Sequence, residues 1–431
     1  MNSPEIPAAI ETEYTVFLEN ELIPIREGVF SCSKSSGEEF KIYGVISISW
    51  KNSPHLTISG VLNQDEKSEL DQLFGQTTLS LPTGEKFKAI FLKLAYEEES
   101  VVLSGEIIEP LKLGIHQGIQ SLVFHIANLQ PMRSGRSTRY KSGAVEFAAL
   151  FFEDNQYVFT FNGNERATHR FKMACDTHGH VLSHVLEVRK KDSLEFSEDE
   201  CHWLRERLNL FLNFANGRES QIPIIEGFGK DQNKVVDHFP LVSLATCAKN
   251  RKRFLNENNV FVDVLKCFIA GVADTGMQEL KLGVHWYIQT LKFDAYDSLV
   301  IGQVALELFS NAILLESHSM MSTEGFENLR AADKIALLMH HFKIDKTLTP
   351  EYEKIKVKDV RDLPAAITFI RNRIVHPTSK NRNQLKEIES KAVVKSVMIT
   401  QMIMEHCILE LVGFPGRILK DVTLNTISLI D

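Results

Sequence analysis

The sequence predicts an α+β protein in which a β-rich N-terminal region, either a sandwich or a strongly bent sheet, precedes an all-helical C-terminal region. In the first part of the chain, apolar and polar residues alternate in short runs, as they do in half-buried strands. Beyond about residue 250, apolar residues recur with helical spacing. The length of 431 residues exceeds one ordinary core and therefore indicates two domains, which we place at residues 1–235 and 250–431.

The strand predictions rest on alternating or apolar runs that end at clusters of turn-forming residues. The segment of residues 170–188 is predicted as a hairpin that turns near Thr177, His178 and Gly179. Strands at such short spacing are typical of a sandwich or a bent sheet. The other predicted strands are residues 41–50, 55–62, 101–108, 146–152 and 157–161.

The pattern changes to helical periodicity after a capping-box sequence. Ser197 is the predicted N-cap, Glu200 follows three residues later, and Gly217 ends the helix. Residues 218–233 contain glycines, a proline and many polar side chains, so we predict the interdomain boundary there. The further predicted helices are residues 257–272, 280–292, 296–316, 326–342, 361–376 and 387–412.

Composition excludes several classes of protein. The net charge of -8 argues against a protein that coats nucleic acid by bulk electrostatics, although a local basic site remains possible. The six cysteines form no CxxC pair and predict reduced thiols. The N-terminus has no signal-peptide pattern, and we find no run of the roughly 18–20 apolar residues that spans a bilayer. These observations predict a cytoplasmic protein without a membrane partner.

Two groups of histidines are weak candidates for chemistry. His178, His180 and His184 share one face if they lie on a strand, and Cys175 is nearby, so they suit a transition metal. The alternative is a polar turn with a solvent-facing strand, because ligands along one strand do not easily close a tetrahedron. The adjacent pair His340 and His341 ends a predicted helix, where histidine complements the helix dipole.

The most informative segment is a single Arg-x4-His sequence near the end of a predicted helix. Asp362 is the predicted N-cap and Pro364 occupies an early helical position. Pro377 disfavours helical geometry at His376, which therefore ends the helix, where the dipole favours a cation. Arg371 lies about one and a half turns earlier. A guanidinium that holds phosphate oxygens and an imidazole that moves a proton suit a phosphodiester substrate.

The surrounding sequence reverses the acidic character of the chain. Between residues 354 and 386, nine basic side chains are opposed only by Asp359 and Asp362. Such a local reversal is the pattern expected of a nucleic-acid footprint, although a solvated basic loop beside an ordinary helix end has the same composition. The nine are Lys354, Lys356, Lys358, Arg361, Arg371, Arg373, Lys380, Arg382 and Lys386.

The order of helical segments resembles the HEPN superfamily. The segments are LGVHWYIQTLKFDAYDSLVIGQVALELFSNAILL, FENLRAADKIALLMHHF, FIRNRIVHP and a long helix that ends MEHCILELVGFPG. The resemblance covers about residues 255–415 and is strongest to ApeA-like HEPN proteins of bacterial antiphage defence, which also place a β-rich domain before the bundle. Many HEPN domains are ribonucleases with an Arg-x4–6-His motif and a polar residue after the arginine, which are here Arg371, Asn372 and His376.

This resemblance implies a homodimer in which two motifs face one cleft and cleave RNA without metal or cofactor, with tRNA as a candidate substrate. His376 would be the general acid or base, Arg371 would stabilise the phosphorane charge, and Asn372 would orient His376 or the phosphate. Arg373 would contact phosphate or pair with an acid such as Glu307, and Lys380 and Arg382 would bind RNA. The N-terminal domain would sense a phage-derived trigger.

Two alternatives remain open from the sequence. The first is a HEPN bundle that dimerises and holds RNA or another ligand without cutting it, with Arg371 paired to Glu307 and His376 only capping a helix. The second is that the N-terminal sheet is itself an enzyme that uses the histidine cluster as a metal site.

Overall fold

The chain forms two compact units, which consist of residues 1–209 with 219–251 and residues 210–218 with 252–431. The first unit is rich in strands and the second is helical, so the predicted α+β class with this order of regions is confirmed. The computed structural model describes residues 6–33, 39–51, 54–63, 75–96, 100–132, 136–248, 258–270, 276–352, 355 and 360–414.

Six strands of the first unit form a closed barrel in the order β1-β2-β3-β6-β5-β4, with every neighbouring pair antiparallel. The barrel closes between β1 and β4, where Cys32 lies opposite Leu79. The sequence predicted a sandwich or a bent sheet, and closure of the barrel is a long-range pairing that no local pattern encodes. The strands are β1 (Ile23–Ser33), β2 (Glu39–Ser49), β3 (His55–Asn63), β4 (Gly75–Ser80), β5 (Lys86–Tyr96) and β6 (Ser100–Ile107).

Inward-facing apolar side chains fill the barrel, and paired glycines let two strands approach closely. Phe30 and Phe87 are fully buried and meet edge to face with ring centroids 6.4 Å apart. Gly44 on β2 lies opposite Gly60 on β3, and a Cβ added at Gly44 would collide with the carbonyl oxygen of Ser59. A larger residue at this position would therefore push the two strands apart.

The remaining strands form an eight-stranded antiparallel sheet in the order β7-β14-β13-β8-β12-β11-β10-β9. Its central strand β8 is buried along its whole length. The strands are β7 (Leu111–Gly114), β8 (Ser121–Ala127), β9 (Arg136–Arg139), β10 (Val145–Glu153), β11 (Tyr157–Gly163), β12 (Leu182–Lys190), β13 (Ile224–Phe228) and β14 (Lys234–Phe239).

Two sequence predictions in this unit are wrong. Half of the predicted hairpin of residues 170–188 is a helix, α1 (Ala167–Asp176), which buries Arg170 so that its guanidinium donates to the carbonyl oxygens of Thr15 and Phe17. The predicted boundary at residues 218–233 contains β13, which pairs with β8 inside the sheet. The polar and glycine-rich composition there reflects strand ends and a tight turn rather than a linker.

The helix α2 (Glu198–Asn216) begins with the predicted capping box. The Glu200 amide donates to Ser197 Oγ at 3.2 Å, and the Ser197 amide donates to the Glu200 carboxylate at 2.9 Å. These two hydrogen bonds satisfy backbone amides at the start of the helix, which have no partner within the helix itself. The last residues of α2 belong to the second unit, where the Phe211 ring packs edge to face on Phe261, with centroids 4.9 Å apart.

The second unit is built from helices, as the sequence predicts, with differences at two places. The predicted helix 326–342 is two helices, because Arg330 adopts extended backbone geometry between them. A short helix, α9, precedes the long final helix and was not predicted. The helices are α3 (Asn258–Ala270), α4 (Met277–Lys292), α5 (Ala295–Ser310) with a π-helical extension (Asn311–Ser317), α6 (Thr323–Glu327), α7 (Ala331–His341), α8 (Leu363–Val375), α9 (Ser379–Glu387) and α10 (Ser390–Leu411).

Close helix packing holds this unit together. The helices α4, α5 and α10 pack against one another, and α8 packs against α5, α7 and α10. Gly302 on α5 lies directly against the Thr400 methyl group of α10, and a Cβ at Gly302 would collide with it. The hydroxyl of the fully buried Tyr287 on α4 donates to the Glu405 carboxylate of α10 at 2.5 Å. The helix α8, which carries the Arg-x4-His segment, thus packs against helices that are themselves closely packed.

Two helical segments are long and apolar enough to span a membrane, Ala295–Ser317 and Ser390–Leu411, contrary to the expectation that no such stretch exists. In the structure, 61% of the most apolar part of the first and 67% of that of the second are buried among other helices. Such burial is what the core helices of a soluble protein show.

Candidate functional site at the end of helix α8

The helix α8 positions the Arg-x4-His segment as the sequence predicts. The Asp362 carboxylate caps the helix by accepting the Ala365 amide at 3.0 Å, and Pro364 lies in the first turn. The helix ends at Val375, and His376 is the C-cap residue with φ -113° and ψ 78°. This non-helical geometry is the result expected for a residue that precedes proline.

The buried stripe of α8 differs in detail from the prediction. Ile367 and Ile370 are fully buried as expected. The predicted Ala365, Phe369 and Ile374 are only partly buried, and Leu363, Pro364 and Ala366 are buried instead. The shift places the first turn of the helix deeper in the core and leaves its last turn nearer to solvent.

The backbone of His376 is held on both sides, whereas its imidazole is exposed. Its amide donates to the Asn372 carbonyl at 3.1 Å. Its carbonyl accepts the Thr378 amide at 2.8 Å and the Asn381 side-chain amide at 2.6 Å. Within the described part of the chain, the imidazole has no hydrogen-bond or ion-pair partner. The backbone that carries the ring is therefore held in place, and the ring itself remains accessible to a substrate.

Arg371 is a half-buried cation whose charge is not neutralised by any described carboxylate. Its Nη1 donates to the Asn372 side-chain oxygen at 3.2 Å, and its buried Nε has no hydrogen-bond acceptor in the part of the chain that the structure describes. Glu307, the acid considered as its partner, is exposed, and no ion pair between the two is found among the described residues. A buried donor without an acceptor is costly unless a further group completes it. This environment suits a bound anion.

Arg373 joins α8 to α9. Its guanidinium lies over the Phe369 ring at 3.7 Å, and its Nε donates to the Gln384 side-chain oxygen at 2.9 Å. Partial burial lowers the pKa of Arg373 below its usual value. The pairing with Glu307 that the sequence suggested is absent among the described residues. Its charge is not cancelled, because neither partner is an anion.

The helix α9 presents further cations directly beyond His376. The Thr378 hydroxyl caps α9 by accepting the Asn381 amide at 3.2 Å. None of the α9 residues is buried, and Lys380, Arg382 and Lys386 are all exposed. The contact from Asn381 to His376 was not predicted from the sequence. The signal that could have revealed it is Thr378, a residue type that often caps helices, which directly follows a proline and precedes Asn381 by three residues.

The remaining basic residues divide into two groups. Arg361 lies 3.9 Å from an Asp333 oxygen and 3.8 Å from an Asp362 oxygen, so acidic neighbours offset its charge. The other three, Lys354, Lys356 and Lys358, lie outside the described residues. The basic surface that the structure describes therefore consists of Arg371, Arg373 and the three cations of α9.

Among the described residues, the histidines that the sequence suggested as a metal site in the first unit do not come together as a metal-ligand group. His178 lies in the turn after α1 with φ 51°, and His180 stacks on Trp50 with its Nδ1 2.7 Å from the Asn128 amide nitrogen. His184 stacks on Phe161. Burial lowers the pKa of His180 to about 4 and that of His184 to about 3. His180 and His184 are separately buried, and His178 is exposed in its turn, so the interpretation of this unit as a histidine-based metalloenzyme loses its basis.

Comparison with known proteins relates both units to one protein. Residues 115–242 match the family model described as the YopA central domain, and residues 274–428 match the YopA C-terminal domain. The chain is similar to YopA. It is 22% identical over 384 residues to the SPbeta prophage-derived uncharacterized protein YopA of Bacillus subtilis (strain 168), with 86% of each chain covered. No solved structure matches the chain significantly.

The YopA-like C-terminal match begins just before α4 and contains the whole Arg-x4-His segment. The central match begins near β8 and ends beyond β14, so it covers most of the eight-stranded sheet. The Bacillus subtilis relative is prophage-derived and uncharacterized, so the likeness assigns no chemistry to either part.

Proposed function

We propose that the C-terminal unit is a HEPN-type endoribonuclease that acts as a homodimer and cleaves RNA without metal. The observation that carries the proposal is the pairing of an exposed, backbone-held imidazole at His376 with the half-buried, unneutralised guanidinium of Arg371 on the same helix end. An anionic substrate would complete such a site, because it would pair with the guanidinium and lie within reach of the imidazole.

The reaction that suits these groups is attack of a ribose 2′-hydroxyl on the adjacent phosphate. His376 removes the hydroxyl proton or protonates the leaving 5′-oxygen, and its ring is available for that transfer because no described residue pairs with it. Arg371 stabilises the charge that develops on the phosphorane. The Asn372 amide holds the Arg371 guanidinium by its hydrogen bond, so it positions the arginine.

Single-strand RNA next to the cleaved bond would lie along α9. The exposed Lys380 and Arg382 follow the motif directly, and Arg373 anchors α9 to α8. Phosphate contacts from such cations give affinity without sequence preference. Selectivity for one RNA, for example tRNA, would then depend on other surfaces.

The likeness to a prophage-derived protein supports a role in conflict between phage and bacterium. In this proposal the protein is cytoplasmic, and the barrel and sheet of the first unit respond to a phage-derived trigger. The second candidate is a non-catalytic dimerisation and RNA-binding module. It is favoured by the use of Arg373 in packing against Phe369 and Gln384.

The deciding experiment is cleavage of total tRNA and mRNA by the purified protein in EDTA. Replacing a general acid or base costs about 100- to 10,000-fold in rate, so His376→Ala and Arg371→Ala should lose activity by at least about 100-fold. His340→Ala is the matched control, because His340 is an exposed histidine at another helix end. Phage challenge of cells that express each variant provides the trigger, if one is needed.

The nuclease proposal fails if the wild type and both variants leave RNA intact in vitro and also give equal protection and equal toxicity in cells. Equal RNA binding by all the proteins, combined with that result, would establish the non-catalytic module.

A further inference from the structure

A second cluster of ligating side chains lies in the helical unit, away from the Arg-x4-His segment in sequence. His318 follows the π-helical extension of α5, His341 is the last residue of α7, and Glu410 lies in the last turn of α10. Their ligand atoms all lie within 4.8 Å of one another. Three helix ends that are distant in the sequence therefore direct two imidazoles and one carboxylate to one point.

The distances in this cluster fit the edges of a metal tetrahedron. A Glu410 oxygen lies 3.0 Å from His318 Nε2 and 3.5 Å from His341 Nε2. Ligands bound to zinc at about 2.0–2.1 Å in tetrahedral geometry lie roughly 3.3–3.4 Å from one another. The two observed distances bracket this value. The His318 side chain is 38% exposed, so it has room to adjust when an ion binds.

The cluster has no internal cation that already occupies its centre. Glu410 has no lysine or arginine partner among the described residues. The other group of this kind, formed by Glu13, Glu226 and Asp237, surrounds the Lys234 ammonium, which takes the place of an ion. Of the two such groups found among the described residues, the histidine-containing cluster is therefore the one open to a metal.

We propose that His318, His341 and Glu410 bind a divalent transition metal, most favourably Zn²⁺, with water in the fourth position. Two imidazoles and one carboxylate are a donor set that suits Zn²⁺ better than Mg²⁺ or Ca²⁺, which prefer oxygen ligands. The ion joins the ends of α5, α7 and α10 and so stabilises the bundle. This proposal does not rest on the RNA-cleaving activity, because no residue of the Arg-x4-His segment takes part.

The test is titration of the metal-free full-length protein with Zn²⁺ by calorimetry and with Co²⁺ by visible absorption. We expect one strong site, an intense Co²⁺ spectrum typical of tetrahedral nitrogen and oxygen ligands, and a higher Tm with Zn²⁺. His318→Gln and Glu410→Gln should weaken Zn²⁺ binding at least about 100-fold, because loss of a ligand exceeds the 10- to 100-fold cost of an outer partner.

His340→Gln is the control, since His340 precedes His341 and is exposed but lies outside the cluster. It should bind Zn²⁺ as the wild type does. Circular dichroism checks the fold of each variant, and exposed His318 is the substitution that the fold should tolerate best. The proposal is overturned if the wild type has no strong site, or if correctly folded His318→Gln and Glu410→Gln retain wild-type affinity.

Discussion

His376 and Arg371 lie about one and a half helical turns apart at the end of α8, and their side chains differ in solvent exposure. The imidazole is exposed without a described partner, whereas the guanidinium is half-buried and its buried Nε has no acceptor among the described residues. A group that moves protons needs access, and a group that stabilises charge gains from partial removal of water. The roles that we propose for the two residues match this difference in burial.

The sequence predicted much of this at the level of single residues. The Asp362 cap, the helix end at His376 and the effect of Pro377 are local rules that the structure confirms. The hydrogen bonds of Arg371 to Asn372 and of Asn381 to His376 were not predicted, because they depend on side-chain rotamers and on an unpredicted helix. Likewise, even spacing of the histidines could not reveal that His180 and His184 face separate aromatic partners.

The buried histidines of the first unit predict a specific loss of stability in acid. His184 has a folded pKa of about 3, well below the ordinary value of 6.5, because burial disfavours its charged form. As the pH falls below 6.5, the unfolded chain binds a proton at this position and the folded chain does not. The stability is thus complete above pH 6.5 and falls by roughly 2–3 kcal/mol by pH 4.5.

Urea unfolding of the wild type and His184→Gln at pH 7.5 and pH 4.5 measures this effect. Glutamine does not titrate, so the variant should be less stable at pH 7.5 and should lose less stability on acidification. His340→Gln, at an exposed position, should follow the wild type. Identical pH dependence in the wild type and His184→Gln would show that His184 is not the group responsible.

At the scale of elements, hydropathy explains both the correct predictions and the failures. The core helices α4, α5 and α10 have continuous buried faces, so their apolar periodicity is visible in the sequence. The helix α9 buries no side chain, so it has no apolar period to detect and depends on the Thr378 cap. The helix α1 was mistaken for a strand because its buried face includes a charged residue, Arg170.

The exposed helix α9 should contribute to RNA affinity by electrostatics. Lys380→Ala combined with Arg382→Ala removes two phosphate contacts, so the slope of log K against log salt should decrease by about 1.4 for single-stranded RNA. Fluorescence anisotropy with a labelled oligonucleotide between low and high salt measures the slope, with His376→Ala present in every protein to prevent cleavage.

Arg330→Ala is the control for this series, because Arg330 is an exposed cation of the same unit that already pairs with Asp333 at 3.0 Å. Its salt slope should equal that of the parent protein. An unchanged slope in the α9 double variant would place the RNA elsewhere.

At the scale of the whole molecule, the order of a β-rich and a helical region was predictable from periodicity, but the barrel was not. Its closure depends on the pairing of β1 with β4, two strands that other barrel strands separate in the sequence. The same limit applies to the sheet, in which β8 pairs with β12 and β13 from later parts of the chain. Local patterns define strands, whereas the choice among partners depends on the packed core.

The proposed dimer predicts complementation between two inactive chains. If Arg371 of one protomer acts with His376 of the other, a mixed dimer of Arg371→Ala and His376→Ala retains one intact site of two. If the two variants are mixed in equal amounts and their subunits exchange at random, about half of the dimers are mixed. Since each mixed dimer has one intact site of two, the mixture should recover about a quarter of wild-type cleavage. Light scattering checks that the species has twice the chain mass of 48.9 kDa. A dimer without recovery would show that both residues act within one chain.

The division of α2 between the two units has a consequence for how such proteins diversify. Its last residues supply Phe211 and Phe214 to the helical unit, where they pack on Phe268 and, for Phe214, on Tyr287. A recombination event that transferred only the chain after residue 250 would deliver a bundle with its aromatic core open to solvent. A segment that is exchanged between proteins must therefore include α2, and the first residues of α2 belong to the β-rich unit. The two units are therefore expected to be inherited together.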